Sequence, residues 1–468
     1  MSNSEISSNG HTPSVIEVKC TFSIELGLDA QNNQTTLRIE NVGIDGRTFD
    51  ELLRHAGFSN ALNGHECKLN KLIDPIHEVV AYAGGDFVIC ENGLSQLPKL
   101  TRLHLYGGMD SPRLFISEFE FENTPELKRL HLDEFVLEIR TLESIRSAYD
   151  LEMLTITNCN LREILTGMFR GMRNLWFLRL SNNSITKIQS CAFDDLVNLT
   201  QLDLQNNQLK DFPEDLFKKM RKLKNVDLSG NEFEKLNWAL FRWMGNVVEL
   251  ALRSCKIIEI EEGAFDDLIC LEFLFLEKNQ IKNLPDGTFK KTKELSQLNL
   301  LKNEIDALEY STFNGMKNIW FLELSYNKIR FLDWGIFDPM PNLSKLYLKN
   351  NAIRDIPDGM FANLKNLKEI NLSNNHLDRL SAEMFKGLEN LECLYLSGNR
   401  IATVEAGAFN DLVNLKDIFL QNNKITWLPD GLLNNIKALR KIDLGGNEVG
   451  GQSKNGSSSV RRFRSRVR

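Results

Sequence analysis

Apolar residues return along most of this chain in one fixed phrase. From Leu127 onward an aliphatic residue opens each phrase at 24-residue intervals: Leu127, Leu151, Leu175, Leu199, Leu223, Val247, Leu271, Leu295, Ile319, Leu343, Leu367, Leu391, Leu415 and Leu439. No insertion or deletion interrupts the series. Apolar residues at the first, fourth and sixth places, as in Leu199, Leu202 and Leu204, give the fourth-to-sixth stretch the two-residue alternation of a short strand. Repeats of this length bury their apolar face only by stacking on their neighbours, so the pattern predicts a solenoid whose strands form one parallel sheet.

Two further columns support that reading. Three residues after the strand, in nearly every copy, stands an asparagine, at Asn183, Asn207, Asn231, Asn279, Asn303, Asn327, Asn351, Asn375, Asn399, Asn423 and Asn447. A chain that turns inside a stack must bury backbone N–H and C=O groups, and an amide side chain offers both a donor and an acceptor to meet them. Cys159 and Cys255 occupy the same column and read as buried ladder thiols. Ten residues past the ladder comes a phenylalanine, from Phe169 through Phe313 to Phe409, with Leu433 in the last copy. It predicts a spine of stacked rings, each contributing about 1.5–3 kcal/mol by burial. Pro-Asp-Gly turns at Pro285-Asp286-Gly287, Pro357-Asp358-Gly359 and Pro429-Asp430-Gly431 mark reversals on the outer side.

The phrase LxxLxLxxN followed by xIxxLPxxxFxxLxN resembles the 24-residue typical leucine-rich repeat, the type carried by Toll-like receptor ectodomains, chaoptin-like adhesion proteins and insect leucine-rich-repeat immune proteins. The resemblance covers residues 127 to about 447. It implies an α/β solenoid, a leucine-rich-repeat horseshoe with a parallel concave β-sheet and an irregular or short-helical convex side. It also implies a life outside the cell.

The ends depart from the phrase. Residues 1–14 read as a disordered segment, 15–126 as a cap with degenerate repeats (among them Leu100-Thr101-Arg102-Leu103-His104-Leu105), 127–447 as the regular repeats and 448–468 as a flexible basic tail. The family often carries a cysteine-bearing amino-terminal cap, and by that resemblance Cys20, Cys67 and Cys90 are expected to give one disulfide and one spare thiol. His65, Cys67, His77 and Cys90 have the residue types of a zinc site, but their wide spacing matches no compact ligand motif, and no metal or other cofactor is expected. Five arginines among residues 461–468 are compatible with a polysaccharide contact. The four-cysteine closing cap of extracellular relatives has no counterpart here.

Charge and composition then narrow the function. With 42% hydrophobic and 25% charged residues there is material for a core. A formal charge of −7 gives no broad positive surface, which argues against nucleic acid. No run of 18 apolar residues is present, so no transmembrane segment is expected. Neither a catalytic triad, a phosphate-binding glycine loop nor an HExxH motif occurs, and the chain is read as no enzyme. Strand residues that alternate with the core form the remaining surface, on which Trp176, Phe177, Arg179, Phe273, Phe275, Trp320, Phe321, Tyr347, Tyr395 and Phe419 stand out. Exposed aromatics among mixed charges are the usual anchors of protein interfaces. The expected function is recognition of a protein partner, with Phe273, Phe275, Phe321 and Tyr347 forming one patch; lateral packing of the rings along the sheet, covered by neighbours such as Lys302 and Lys345, is the alternative. Residues 1–20 lack the charged start and apolar stretch of a secretion signal. Secretion would therefore need a leader upstream of Met1, and an intracellular scaffold or adaptor stays open beside the extracellular reading.

Overall fold

The computed structural model describes the strands Ser14–Glu17, Phe22–Asp29 and Gln34–Asn41, residues 76–118 with short breaks, and residues 120–449. The expectations for the basic tail, Cys20, Cys67 and Cys90, and for three of the four metal candidates (His65, Cys67, Cys90), lie outside the described residues. The chain forms two compact units, Met1–Asp227 and Leu228–Arg468.

In the first unit the amino-terminal strands pair antiparallel, and Gln34–Asn41 then runs parallel to Ile76–Tyr82. From there the neighbours are all parallel, in chain order: Ile76–Tyr82, Arg102–Tyr106, Arg129–Asp133, Met153–Thr157, Phe177–Arg179, Gln201–Asp203 and Asn225–Asp227. Stacked coils thus begin well inside the segment read as cap and degenerate repeats. In the second unit the parallel strands run from Glu249–Ala251 to Lys441–Asp443, each residue facing the one 24 places on, as Phe321 faces Lys345. A buried aliphatic residue such as Leu322 or Leu346 centres each of these strands except the last, where Ile442 is half-buried. The strands stay short because the chain must turn at once to close its coil.

That turn is built by the asparagine ladder. Asn303 donates from Nδ2 to the carbonyls of Leu276 at 2.9 Å and Leu300 at 3.1 Å, and its Oδ1 accepts from the N–H of Ile281 at 3.1 Å. One amide therefore ties its own turn to the preceding coil, and the same three bonds recur at Asn327 and Asn423. Asn303→Ala is expected to cost about 1–3 kcal/mol, because it strands buried backbone groups. Chemical denaturation should show it, and an unshifted midpoint would contradict the ladder.

The thiols fill their column differently. Cys159 Sγ donates to the carbonyl of Thr157 at 3.1 Å, while the next residue, Asn160, accepts from the N–H of Leu137 at 2.7 Å. The acceptor role passes one place along the chain. Burial, first of all, pushes the Cys159 thiol up to about 12, which leaves it protonated and inert.

One residue before the ladder the backbone crosses into positive φ, at Asn206 (53°), Asn350 (53°) and Asn374 (56°) among others. The eighth place of the repeat therefore belongs to the turn and not to the sheet face, and the seventh is buried in several coils, as at Ser181, Ser229, Ser325 and Ser373. The tight turn, and not the two-residue alternation of the strand, sets the direction of both places.

Opposite the sheet, the phenylalanine spine is buried and stacked. In the second unit, ring centroids lie 6.1 Å apart between Phe265 and Phe289 and 6.3 Å between Phe289 and Phe313. The outer side is made of turns with a few two-residue β bridges, such as Glu163–Ile164 with Lys187–Ile188. Gly287, Gly359 and Gly431 hold φ of 68°, 73° and 80° at the Pro-Asp-Gly reversals, where a side chain is disfavoured. Among the described residues one α-helix occurs, Ile139–Ile145; Thr141 and Ser144 anchor it by donating to the carbonyls of Leu114 and Ile116.

Candidate binding face

Every second strand residue opposite the core projects from the sheet. In the second unit the third-place column reads Phe273, Gln297, Phe321, Lys345, Glu369, Cys393, Asp417 and Lys441, and the fifth-place column reads Phe275, Asn299, Glu323, Tyr347, Asn371, Tyr395, Phe419 and Asp443. The aromatic residues singled out in the sequence all sit half-exposed on the sheet side, with Trp320 at 39%.

They do not form one patch. Phe273 and Phe275 are separated from Phe321 by the polar strand Gln297–Asn299. Phe321 meets Tyr347 edge-on at 5.5 Å, and Trp320 lies 5.8 Å from Phe321. Tyr395 and Phe419 stack at 4.7 Å with their planes 1° apart. Trp176 and Phe177, on the first unit, form their own edge-on pair at 5.9 Å.

Protein cations already cover three of these rings. The Arg253 guanidinium lies 4.0 Å over Phe275, Lys441 Nζ 4.7 Å over Phe419, and the Arg179 guanidinium 5.2 Å over Phe177. Arg253 is held in turn by Glu277 at 2.6 Å and Arg179 by Asp203 at 2.8 Å. Self-covering thus occurs, by residues other than the Lys302 and Lys345 that the sequence suggested. Lys302 stands instead over Tyr326, and Lys345 pairs with Glu369 at 3.5 Å. The cluster Trp320, Phe321 and Tyr347 carries no such cation among the described residues.

Its electrostatics are those of a half-dry carboxylate neighbourhood. Burial holds the Glu323 carboxyl above its ordinary value even though it accepts from Ser325 N–H at 2.7 Å. Burial and then Glu369 push the Tyr347 hydroxyl up, and burial followed by its neighbours Cys393 and Glu369 takes Tyr395 up to about 12. Both phenols are neutral donors at physiological pH.

Sequence reasoning passed over two other groups. Phe331, Trp334 and Tyr310 are exposed at 71%, 65% and 55% on the flank of the second unit, where counting only strand positions could not find them. In the first unit, His104 and His131 occupy the sheet face of neighbouring strands, in register and with ring centroids 5.7 Å apart. Their signal was the tetrapeptide Arg-Leu-His-Leu, present at both 102–105 and 129–132.

No group of three or more His, Cys, Asp or Glu side chains among the described residues is placed to hold a metal. No helix among them is long and apolar enough to cross a membrane.

Strands, ladder and spine together define a β-solenoid of stacked leucine-rich coils, with almost no helix among the described residues. The leucine-rich-repeat family profile matches at residues 150–209, 198–257, 221–281, 271–329, 293–353, 341–401 and 389–449, and the chain belongs to that family. A comparison of the sequence with curated proteins finds no significant relative.

Similar solved structures include TLR13 in its complex with ssRNA13 (TM-score 0.67, 24% identity, 81% of this chain and 59% of that one). They include Toll with Spatzle from Drosophila (0.64, 20%, 93% and 58%) and a leucine-rich-repeat protein of Leptospira interrogans (0.63, 21%, 87% and 92%). The chain spans under two thirds of the first two, and at these identities the likeness is one of fold. A protein of this fold is thus seen with single-stranded RNA, so the fold does not carry the exclusion of nucleic acid that net charge suggested.

Proposed function

We propose that the chain is a non-catalytic recognition module that binds a protein partner through the outward sheet face of its second unit, with Trp320, Phe321 and Tyr347 as anchors. The supporting observation is a three-ring cluster that stands half-exposed with no cation over it among the described residues, while Phe275 and Phe419 are covered. Aromatic side chains bury large area at little entropic cost, and such clusters dominate interface energetics. A protein ligand is also what Toll holds in its complex with Spatzle. Partner capture with the full chain, repeated with Phe321→Ser plus Tyr347→Ser, tests the reading; equal capture by both would refute it.

The repeat type favours action outside the cell, in innate-immune recognition or adhesion. Asn342, in the sequon Asn342-Leu343-Ser344, is exposed, whereas Asn371 lies on the sheet face with its Oδ1 bound to the Ser373 N–H at 3.0 Å. Expressed behind a secretion signal, the protein is expected to carry glycan at Asn342 and none at Asn371. Peptide mapping after glycosidase treatment checks this, and modification at Asn371 alone would count against binding on that face.

A further inference from the structure

The sheet face of the first unit carries a second cluster, distinct from the anchors above. On neighbouring strands, Tyr82 and Tyr106 stack at 5.0 Å, Tyr106 lies 4.9 Å from His131, and His131 lies 5.7 Å from His104. Four rings thus run side by side on three strands.

The charges around them are unevenly satisfied. Glu78 is 3.2 Å from Arg102 and 3.3 Å from His104 Nε2. Asp133 accepts from Thr157 Oγ1 at 2.6 Å and from Asn158 Nδ2 at 2.7 Å, and Asp203 holds Arg179. Lys128 and Glu152, one place outside the strands, offset each other in sign. Arg129, exposed and two residues before His131 on the same strand face, has a guanidinium with no hydrogen bond or ion pair among the described residues. Among the described side chains of these strands, Glu78, Asp133 and Asp203 are therefore engaged, and the Arg129 guanidinium is not.

We infer that this face is a second interaction surface, which takes a protein segment presenting one carboxylate beside an apolar side chain. The carboxylate meets Arg129 and His131, and the apolar group lies on the Tyr82–Tyr106 stack. A polyanion such as nucleic acid or a sulfated polysaccharide fits less well, because it needs continuous positive potential, and Glu78, Asp133 and Asp203 interrupt the cations here. A single carboxylate between a guanidinium and an imidazole makes charge-assisted bonds without meeting those acids.

Proton linkage follows. Burial first, then the His104 imidazole and Arg179, hold His131 below its ordinary value of 6.5, with Asp133 opposing them. The free face is therefore largely uncharged at His131 near neutrality. A bound carboxylate raises the pKa of that imidazole, so affinity increases as pH falls toward and below 6.5.

The test selects displayed random peptides on the full chain at about pH 6 and remeasures the survivors, as synthetic peptides, on Arg129→Ala and His131→Gln. Melting curves first confirm that both variants stay folded. Survivors are expected to place Asp or Glu next to an aromatic or aliphatic residue and to lose about tenfold in affinity on Arg129→Ala. They should also tighten severalfold between pH 7.5 and 6 on the wild type, and not on His131→Gln. Survivors without acidic preference, survivors indifferent to Arg129→Ala, or an Arg129-dependent hold on polyuridylate or heparin alone would overturn the inference. Phe321→Ser plus Tyr347→Ser should leave these peptides bound, which separates this surface from the one proposed above.

Discussion

Phe313→Ser is expected to destabilise the second unit by about 3–5 kcal/mol. Its ring is fully buried and stacks 6.3 Å from Phe289 in the spine opposite the sheet. Serine removes that area and leaves both a cavity and a hydroxyl with no partner. Coils of a solenoid contact only their neighbours, so the loss is not shared across the molecule, and unfolding can start at the damaged coil. Calorimetry or denaturant titration reads the effect, and a shift below about 1 kcal/mol would mean that the spine is not a packed core.

Phe321→Ser with Tyr347→Ser should behave in the opposite way. Both rings stand half-exposed on the sheet face, so little core volume is lost and stability should change by less than about 1 kcal/mol. Edge-on contact between them at 5.5 Å makes them a coupled pair, and their losses need not add. Partner affinity should fall by about 2 kcal/mol or more for each ring that is a true anchor. Phe275→Ser is expected to do less, because Arg253 already covers that ring at 4.0 Å and would have to move before any partner reached it. Isothermal titration with the captured partner separates the cases.

The solenoid was legible because its constraints are local and repeated. Asn303 needs the same three backbone partners as Asn327, and Phe289 the same neighbours as Phe265, so selection writes the same residue every 24 places. The face was legible only as a set of positions. Alternation identified Phe275 and Phe321 alike as outward, yet whether a ring is covered depends on the rotamers of Arg253 and Lys441, which no spacing encodes. The turn at Asn206 took the eighth place off the sheet, a matter of backbone φ. Two further features were hidden for different reasons. The His104–His131 pair lies where a 27-residue spacing, Arg102 to Arg129, breaks the period. Phe331 and Trp334 project from a flank that no strand rule addresses.

That flank supplies the sharpest rival to the sheet face, since Phe331 is the most exposed large apolar residue among those described. Replacing Phe321 in one sample and Phe331 in another by a photo-reactive benzoylphenylalanine, then irradiating each with the partner bound, asks directly which surface is covered. Crosslinking from position 321 with little from 331 is the result expected if the sheet face binds. Crosslinking from 331 with none from 321 would contradict it and move the interface to the flank.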